Sequence, residues 1–413
     1  MQNLNHSNIK INSLSHDGRG IAKIEDKTVF IKGAIPEDVV SIKNLEAGDK
    51  FDVAEVKNVF SPSPNRVEPF CQYYSQCGGC QLQHLSIDAQ RDWKIKNFIT
   101  RLSQAVNSKH LKIEPPIYGS DKGYRRRARF GLAISKKDKI ARLGFRQPQS
   151  NELIDIEHCP VLTDAMNEAL KTHRPSLLEQ ASRSYKEVNL VEATNGCYLH
   201  LDKQTDSNDA SPQPEYNIDN LTLNFPVDGF VQVNAEINQQ MVQLAINWLE
   251  LDYKTKVLDL FCGVGNFTLP IAQQTKSVVG IEGLSELIET AQTNAAKNHG
   301  DNVEFFKADL FKETDKSSWF RKQKYHRVLL DPGRQGAFEI SKKLHLVKPE
   351  IIVYVSCNAA TLIRDIKELE KQGYILHKAC LMDMFPHTTH TEVMVQLKKI
   401  KQTKKQDRKI FKF

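Results

Sequence analysis

No stretch of this 413-residue chain is apolar for the roughly 18 residues that a membrane span requires. No apolar segment follows Met1, and Met1 to Lys10 is polar, so a secretory leader is not expected either. These two absences lead to the expectation of a cytoplasmic protein without a membrane partner. No internal repeat is visible. The GxGxxG turn of dinucleotide-binding proteins is missing, as is the Gly-Lys-Ser/Thr ending of a phosphate loop. Disulfide chemistry is not expected for the eight cysteines, because without a leader they stay reduced. Where they cluster, metal binding or catalysis is the better reading.

What is present suits an ordinary globular chain of two or three domains, with 40% hydrophobic and 26% charged residues. The net charge of +7 is modest support for an anionic partner. Its distribution is more telling, since Arg125, Arg126, Arg127 and Arg129 fall between Tyr124 and Phe130. The lysine-rich end, residues 401–413, reads as a solvated basic tail.

The first 60 residues alternate like short strands: Ile9–Leu14, Gly20–Ile24, Thr28–Ile31, Asp38–Lys43 and Phe51–Val59. Turns at Asp17-Gly18, Glu25-Asp26 and Ala47-Gly48 separate them, which predicts a small β-barrel. After Ser61-Pro62-Ser63-Pro64 comes a cysteine cluster. A helix is then predicted from Ser86 to Val106, with Ile87, Trp93, Ile95, Phe98, Ile99 and Leu102 as its apolar face. Residues 124–225 mix strands with a helix near Thr163–Thr172, and Gln204–Tyr216 reads as a loop or linker. From about Val227, β-branched runs alternate with amphipathic helices, the pattern of a parallel α/β sheet.

Within that sheet the run Lys256–Phe261 leads into Cys262-Gly263-Val264-Gly265-Asn266. Glycines there let the chain turn at the carboxyl end of a strand, where doubly wound sheets bind ligands. The second strand, Ser277–Ile281, ends at Glu282, whose carboxylate suits two ribose hydroxyls; the third, Val303–Lys307, leads to Asp309, suited to an adenine amino group. Strand, glycine turn, acid and second acid together point to S-adenosylmethionine as cofactor.

The fourth strand, Arg327–Leu330, ends in Asp331-Pro332-Gly333-Arg334, and the fifth, Ile351–Val355, in Ser356-Cys357-Asn358. N-methyltransferases usually place an aromatic residue after Asp-Pro, and that residue is absent here. A cysteine at the next strand end instead suits methylation at C5 of uracil. A thiolate adding to C6 turns unreactive C5 into an enolate carbon, and a base then removes the C5 proton. Cys357 is the candidate nucleophile and Glu392, just before the strand Val393–Leu397, the candidate base. Cys71, Cys77 and Cys80, with Cys159 downstream, form a four-thiol set whose spacing leaves tetrahedral zinc and a four-iron cluster equally open.

At these residues the chain resembles the RNA uracil-C5 methyltransferase family. The matching motifs are Phe230-Val231-Gln232-Val233-Asn234, Asp259 to Phe267, Val353 to Asn358 and Asp383 to Thr388. The resemblance implies that Cys357 attacks C6, that Glu392 is the base, and that Gln232, Phe261, Asn266, Glu282, Asp309 and Asp331 line the cofactor and target-base pocket. Asp331 could also hydrogen-bond the uracil edge. Gly333 stands where the family often has Pro or Ala, so a looser local backbone is expected. Ile11–Val59 resembles a TRAM domain, an RNA-binding barrel, through Gly18 to Ala22 and Phe30 to Ala34. The resemblance favours a four-iron four-sulfur (4Fe-4S) cluster on the four cysteines, with a structural or RNA-positioning role.

The expected architecture is therefore multidomain. A TRAM (OB-like) barrel over residues 1–60 precedes a central α+β iron-sulfur domain over 61–220, whose helix 86–106 could pack on the catalytic domain. A Rossmann-like S-adenosylmethionine-dependent methyltransferase domain covers 221–400, before the tail. Family members that modify the tRNA T-loop generally lack barrel and cluster, so 23S ribosomal RNA, gripped at a loop by the arginine run, Tyr73 and Tyr74, is the expected partner of a monomeric enzyme. Two rival readings are tRNA methylation by the same chemistry and an RNA-binding assembly factor with a vestigial catalytic domain.

Overall fold

A computed structural model describes residues 7–107, 109–201, 213–312, 316–321 and 323–400. The tail, residues 401–413, lies outside them. No helix among the described residues is long and apolar enough to cross a membrane.

The N-terminal strands close into a barrel because one segment forms both edges. Ile9–Lys10 pairs with Val39–Val40, while Ser13–Leu14, three residues on, pairs with Gly20–Ile21 at the other end of a six-stranded sheet. Glu25 and Asp26, at φ 48° and 65°, supply the left-handed turn joining Gly20–Ile24 to Lys27–Lys32. Ala22, Val29, Ile31, Val40 and Ala54 fill the barrel.

The next sheet has five antiparallel strands, ordered Leu153–Asp155, Ala141–Arg146, Arg127–Ile134, Lys186–Ala193 and Gly196–Leu201. One face is covered by the helix Asp164–Glu179, capped by Thr163, whose side chain accepts from the Met166 N–H. That helix runs a full two turns beyond the Thr172 limit expected from sequence. The expected loop Gln204–Tyr216 falls largely outside the described residues. Its end is instead a strand, Glu215–Ile218, forming a hairpin with Leu221–Asn224 around Asp219 at φ 51°.

The third unit is an eight-stranded sheet, ordered Val303–Lys307, Ser277–Glu282, Lys256–Leu260, Arg327–Leu330, Ile351–Ser356, Glu392–Lys399, Tyr374–Met382 and Lys112–Ile113. The first five are parallel, and Glu392–Lys399 runs antiparallel to both its neighbours. Alternation gives each face its own core: Ile351, Val353 and Val355 pack on one side, Ile352 and Tyr354 on the other. The helix Ile87–Ala105 joins the second of these cores through Phe98 and Leu102, and Lys112–Ile113 adds the outermost strand.

This topology decides where the chemistry sits. Parallel strands deliver Phe261, Glu282, Asp331 and Cys357 to one rim. An antiparallel strand starts where its parallel neighbour stops, so Glu392 arrives at that same rim. Ser356 lies opposite Val393, which makes Cys357 and Glu392 the next residues outward.

Candidate active site

A cavity of about 920 Å³ opens at this rim, lined by Gln232, Phe261, Asn266, Glu282, Asp331, Cys357 and Glu392. Asp309 is not among its lining residues. It is exposed, accepts from the Phe311 N–H and pairs with Lys312 at 3.0 Å.

Local structure explains each placement. Gly263 and Gly265 take φ of 54° and 97°, and a Cβ on Gly263 would meet nothing, leaving backbone open to a ligand. Phe261 is also left-handed, at φ 66°, a strained state for an aromatic residue that tends to mark functional turns. Glu282 accepts backbone N–H groups of Gly263 (3.2 Å), Gly283 (2.7 Å) and Leu284 (3.1 Å), locking the glycine turn to the second strand. Cys357 sits at an elbow whose next residue, Asn358, caps the helix Ala359–Lys371 and donates to the Arg334 carbonyl at 3.0 Å. Gly333 needs no special conformation, because a Cβ there would meet nothing.

The electrostatics oppose ionisation. Burial pushes the Cys357 thiol up to about 11, helped by Glu392 and Asp331 and opposed by Arg334. Burial, with Asp331 beside it, holds Glu392 well above the usual carboxylate range. Burial brings Asp331 to about 7, and Asp259 beneath it likewise. Burial thus favours the protonated forms of Cys357 and Glu392 in the free site, with Asp331 near its midpoint, rather than the thiolate expected from sequence.

The cavity continues to Cys71, Cys77, Cys80 and Cys159. Burial raises Cys80 to about 12 and Cys159 to about 11, and repulsion from neighbouring cysteines of the set adds to both. Among the described residues, however, no three His, Cys, Asp or Glu side chains converge to hold a single metal ion.

The arginine run divides. Arg125 and Arg129 line the cavity, but Arg126 is only 8% exposed and its Nε donates to the Gln232 carbonyl at 2.9 Å. Arg127 donates to the Asp228 carbonyl at 2.8 Å. Expecting all four to face RNA overlooks strand alternation. The Tyr74 hydroxyl is also committed inward, to the Gln81 carbonyl (2.8 Å) and His84 (2.5 Å). Sequence reasoning missed His158, His390 and the 67% exposed Phe230 as lining residues. For Phe230 a signal existed, because it opens the same motif as Gln232.

Comparison with known proteins agrees with this architecture. The tRNA (uracil-5-)-methyltransferase family matches residues 166–400, and the TRAM domain residues 7–55. A Haemophilus parainfluenzae protein named 23S rRNA (uracil(1939)-C(5))-methyltransferase RlmD is 39% identical over 93% of this chain and 94% of its own length. A Shewanella sediminis protein of the same name is 38% identical over 94% of each. Among solved structures, Pyrococcus abyssi tRNA (uracil-54, C5)-methyltransferase in complex with S-adenosyl-L-homocysteine superposes with TM-score 0.71 at 24% identity, covering 94% of this chain and 99% of its own. That coverage is too complete to omit the barrel, so a barrel does not by itself separate ribosomal from transfer RNA enzymes. With its family match over more than half its length and its full-length relatives, the chain belongs to the RNA uracil-C5 methyltransferase family, as an enzyme with an N-terminal TRAM domain.

Proposed function

We propose that this protein transfers a methyl group from S-adenosylmethionine to C5 of one uridine in 23S ribosomal RNA, with Cys357 as nucleophile and Glu392 as base. The observation that carries the chemistry is the meeting of Cys357, Glu392 and Asp331 in the cavity that also holds Glu282 and Asn266. The choice of 23S RNA rests on the relatives' names across nearly the whole chain.

The cofactor fits the open glycine turn and the acids at the rim. Gln232, Phe261, Asn266, Glu282 and Asp331 would hold it; Asp309, outside the cavity and paired with Lys312, would join only by leaving that partner. When bound, it supplies an electrophilic methyl group on a sulfonium cation. Cys357 Sγ would pass its proton to Asp331, which is near its midpoint at neutral pH, and bond to C6 of the flipped uracil, which makes C5 nucleophilic. Once C5 carries the methyl group, Glu392 takes the C5 proton, the C6–S bond breaks and the thiolate returns. Glu392 acts here in its ionised form, the minor one in the free site, and its raised proton affinity then favours removal of a proton from carbon. Asp331, near its midpoint at neutral pH, can exchange a hydrogen bond with the uracil edge.

We assign the four cysteines to a four-iron four-sulfur cluster with a structural or RNA-positioning role. An all-thiol set raised by burial and mutual repulsion is stabilised by a cationic centre. A cubane also offers four separate irons, so its ligands need not converge on one point. The domain limits 1–60, 61–220 and 221–400 belong to the same proposal, with the helix Ile87–Ala105 assigned to the catalytic core it packs in.

Transcripts of 23S RNA and of tRNA, incubated with the protein and methyl-labelled S-adenosylmethionine, test the reading. Label at C5 of one uridine in the 23S transcript is expected. Label in tRNA alone favours the transfer-RNA reading, and label in neither contradicts both. Broad absorption near about 400 nm after anaerobic purification is expected of the cluster, and a colourless protein carrying zinc contradicts it.

A further inference from the structure

Part of the cavity wall is a polar cluster of which the sequence motifs marked Asn266 alone. The Asn266 side chain is almost fully engaged. Its Oδ1 accepts from the Tyr216 hydroxyl at 3.0 Å and from Asn238 Nδ2 at 2.9 Å, and its Nδ2 donates to Asn238 Oδ1 at 3.0 Å. A carboxamide has two lone pairs and two N–H bonds. Both lone pairs and one N–H are occupied, so a single N–H remains to face the cavity that Asn266 lines.

Tyr216 decides which way round this amide sits. Its side chain is buried, 3% exposed, and Asn266 is its hydroxyl's partner among the described residues. With the amide reversed, the hydroxyl would have to accept from Nδ2. Its own proton would then be stranded in the core, at a cost of about 1–3 kcal/mol. Asn238, only 1% exposed, matches the amide edge to edge. Arg126 holds the arrangement from behind, its guanidinium 4.9 Å from the centre of the Tyr216 ring and its Nε on the Gln232 carbonyl. One buried cluster therefore sets two cavity-lining residues, Gln232 and Asn266.

We propose that Tyr216 and Asn238 are positioning residues for cofactor binding, orienting Asn266 so that its remaining N–H donates to an oxygen of the bound nucleoside amino acid. This rests on the S-adenosylmethionine reading above. Tyr216 also lines the cavity, but its hydroxyl is spent on Asn266, and Asn238 does not line it; in this scheme both act through Asn266.

The test is calorimetric titration of S-adenosylhomocysteine into the full-length protein and its Tyr216→Phe, Asn266→Ala and doubly substituted variants, with melting temperatures recorded alongside. Tyr216→Phe is expected to weaken binding about tenfold. The double variant is expected to bind no more weakly than Asn266→Ala alone, because Tyr216 has then lost the group it orients. In steady state the loss falls on KM for S-adenosylmethionine, with kcat nearly unchanged. Should Tyr216→Phe fold poorly, Asn238→Ala enters the same cycle with the same expectation. Equal weakening in both backgrounds, or none in Tyr216→Phe, overturns the proposal while wild-type binding leaves the cofactor reading standing. A wild-type chain that binds no S-adenosylhomocysteine overturns both.

Discussion

Cys357 is asked to be a nucleophile in a place that keeps its proton on. With the thiol near 11, only about one molecule in ten thousand is ionised at neutral pH. Alkylation of Cys357 by iodoacetamide, followed by peptide mass spectrometry, should therefore accelerate about tenfold per pH unit from 7 to 10. A plateau near pH 7 would show a preformed thiolate. Glu392→Gln retains the shape but cannot accept the C5 proton, so turnover should fall about 10²–10⁴-fold while adduct with natural RNA accumulates; normal turnover would remove Glu392 from the mechanism. Asp259 makes a stability prediction. Its carboxyl is pushed by burial from 3.8 to about 7, so the folded state binds a proton that the unfolded chain has released. That stabilises the fold fully below about pH 4, and the advantage is lost as pH rises through about 7. Asp331 titrates in the same window. The melting temperature of the ligand-free protein should fall between pH 5 and 8, and Asp259→Asn should flatten the fall. An unchanged slope would refute the assignment.

The helix Ile87–Ala105 shows what alternation alone could and could not reveal. Its limits match those expected from Ser86 and the apolar spacing, yet its most buried positions are Gln90, Lys94, Phe98 and Leu102. Two polar residues lie on the buried stripe because their partners are remote in sequence. Lys94 Nζ reaches Asp383 at 2.7 Å and the Phe385 carbonyl at 2.9 Å, and Gln90 meets His387. These contacts pin the segment that leads to Glu392. Lys94→Met should leave buried Asp383 only its longer contact to Arg91, at 3.5 Å, and cost up to about 3–5 kcal/mol, read as a lowered denaturation midpoint; Lys94→Met with Asp383→Leu should recover much of it. The strands that carry the rim were legible, because buried parallel strands are continuous β-branched runs with their functional residues at the carboxyl ends. The roles proposed for Cys357 and Glu392 come from the chemistry that C5 of uracil demands, and both residues line the cavity at the rim. Tyr216 was not legible: it ends a polar, proline-bearing stretch, and its meaning depends on Asn266, fifty positions away. Arg126 hid within a basic run, just ahead of the strand Arg127–Ile134, until its side chain proved buried against the Gln232 carbonyl.

At the scale of the whole molecule, one cavity joins the methyltransferase rim to the cysteine-bearing unit, so under the proposed function an RNA entering it would meet both at once. Arg125 and Arg129 are the cationic residues lining it besides Arg334. Replacing Arg125 and Arg129 by Ala should weaken RNA binding and lower the slope of log affinity against log salt by about one per lost phosphate contact, leaving S-adenosylhomocysteine binding intact. An unchanged slope would place the RNA elsewhere. The account as a whole turns on a bond between Cys357 and a pyrimidine. RNA containing 5-fluorouridine at the target site offers no C5 proton to remove, so the reaction should halt with RNA attached. Denaturing electrophoresis after incubation with S-adenosylmethionine should show a protein–RNA band that is absent for Cys357→Ala, and mass spectrometry should locate the nucleotide on the peptide holding Cys357. An equal band from Cys357→Ala, or methylated RNA with no adduct, would contradict the account.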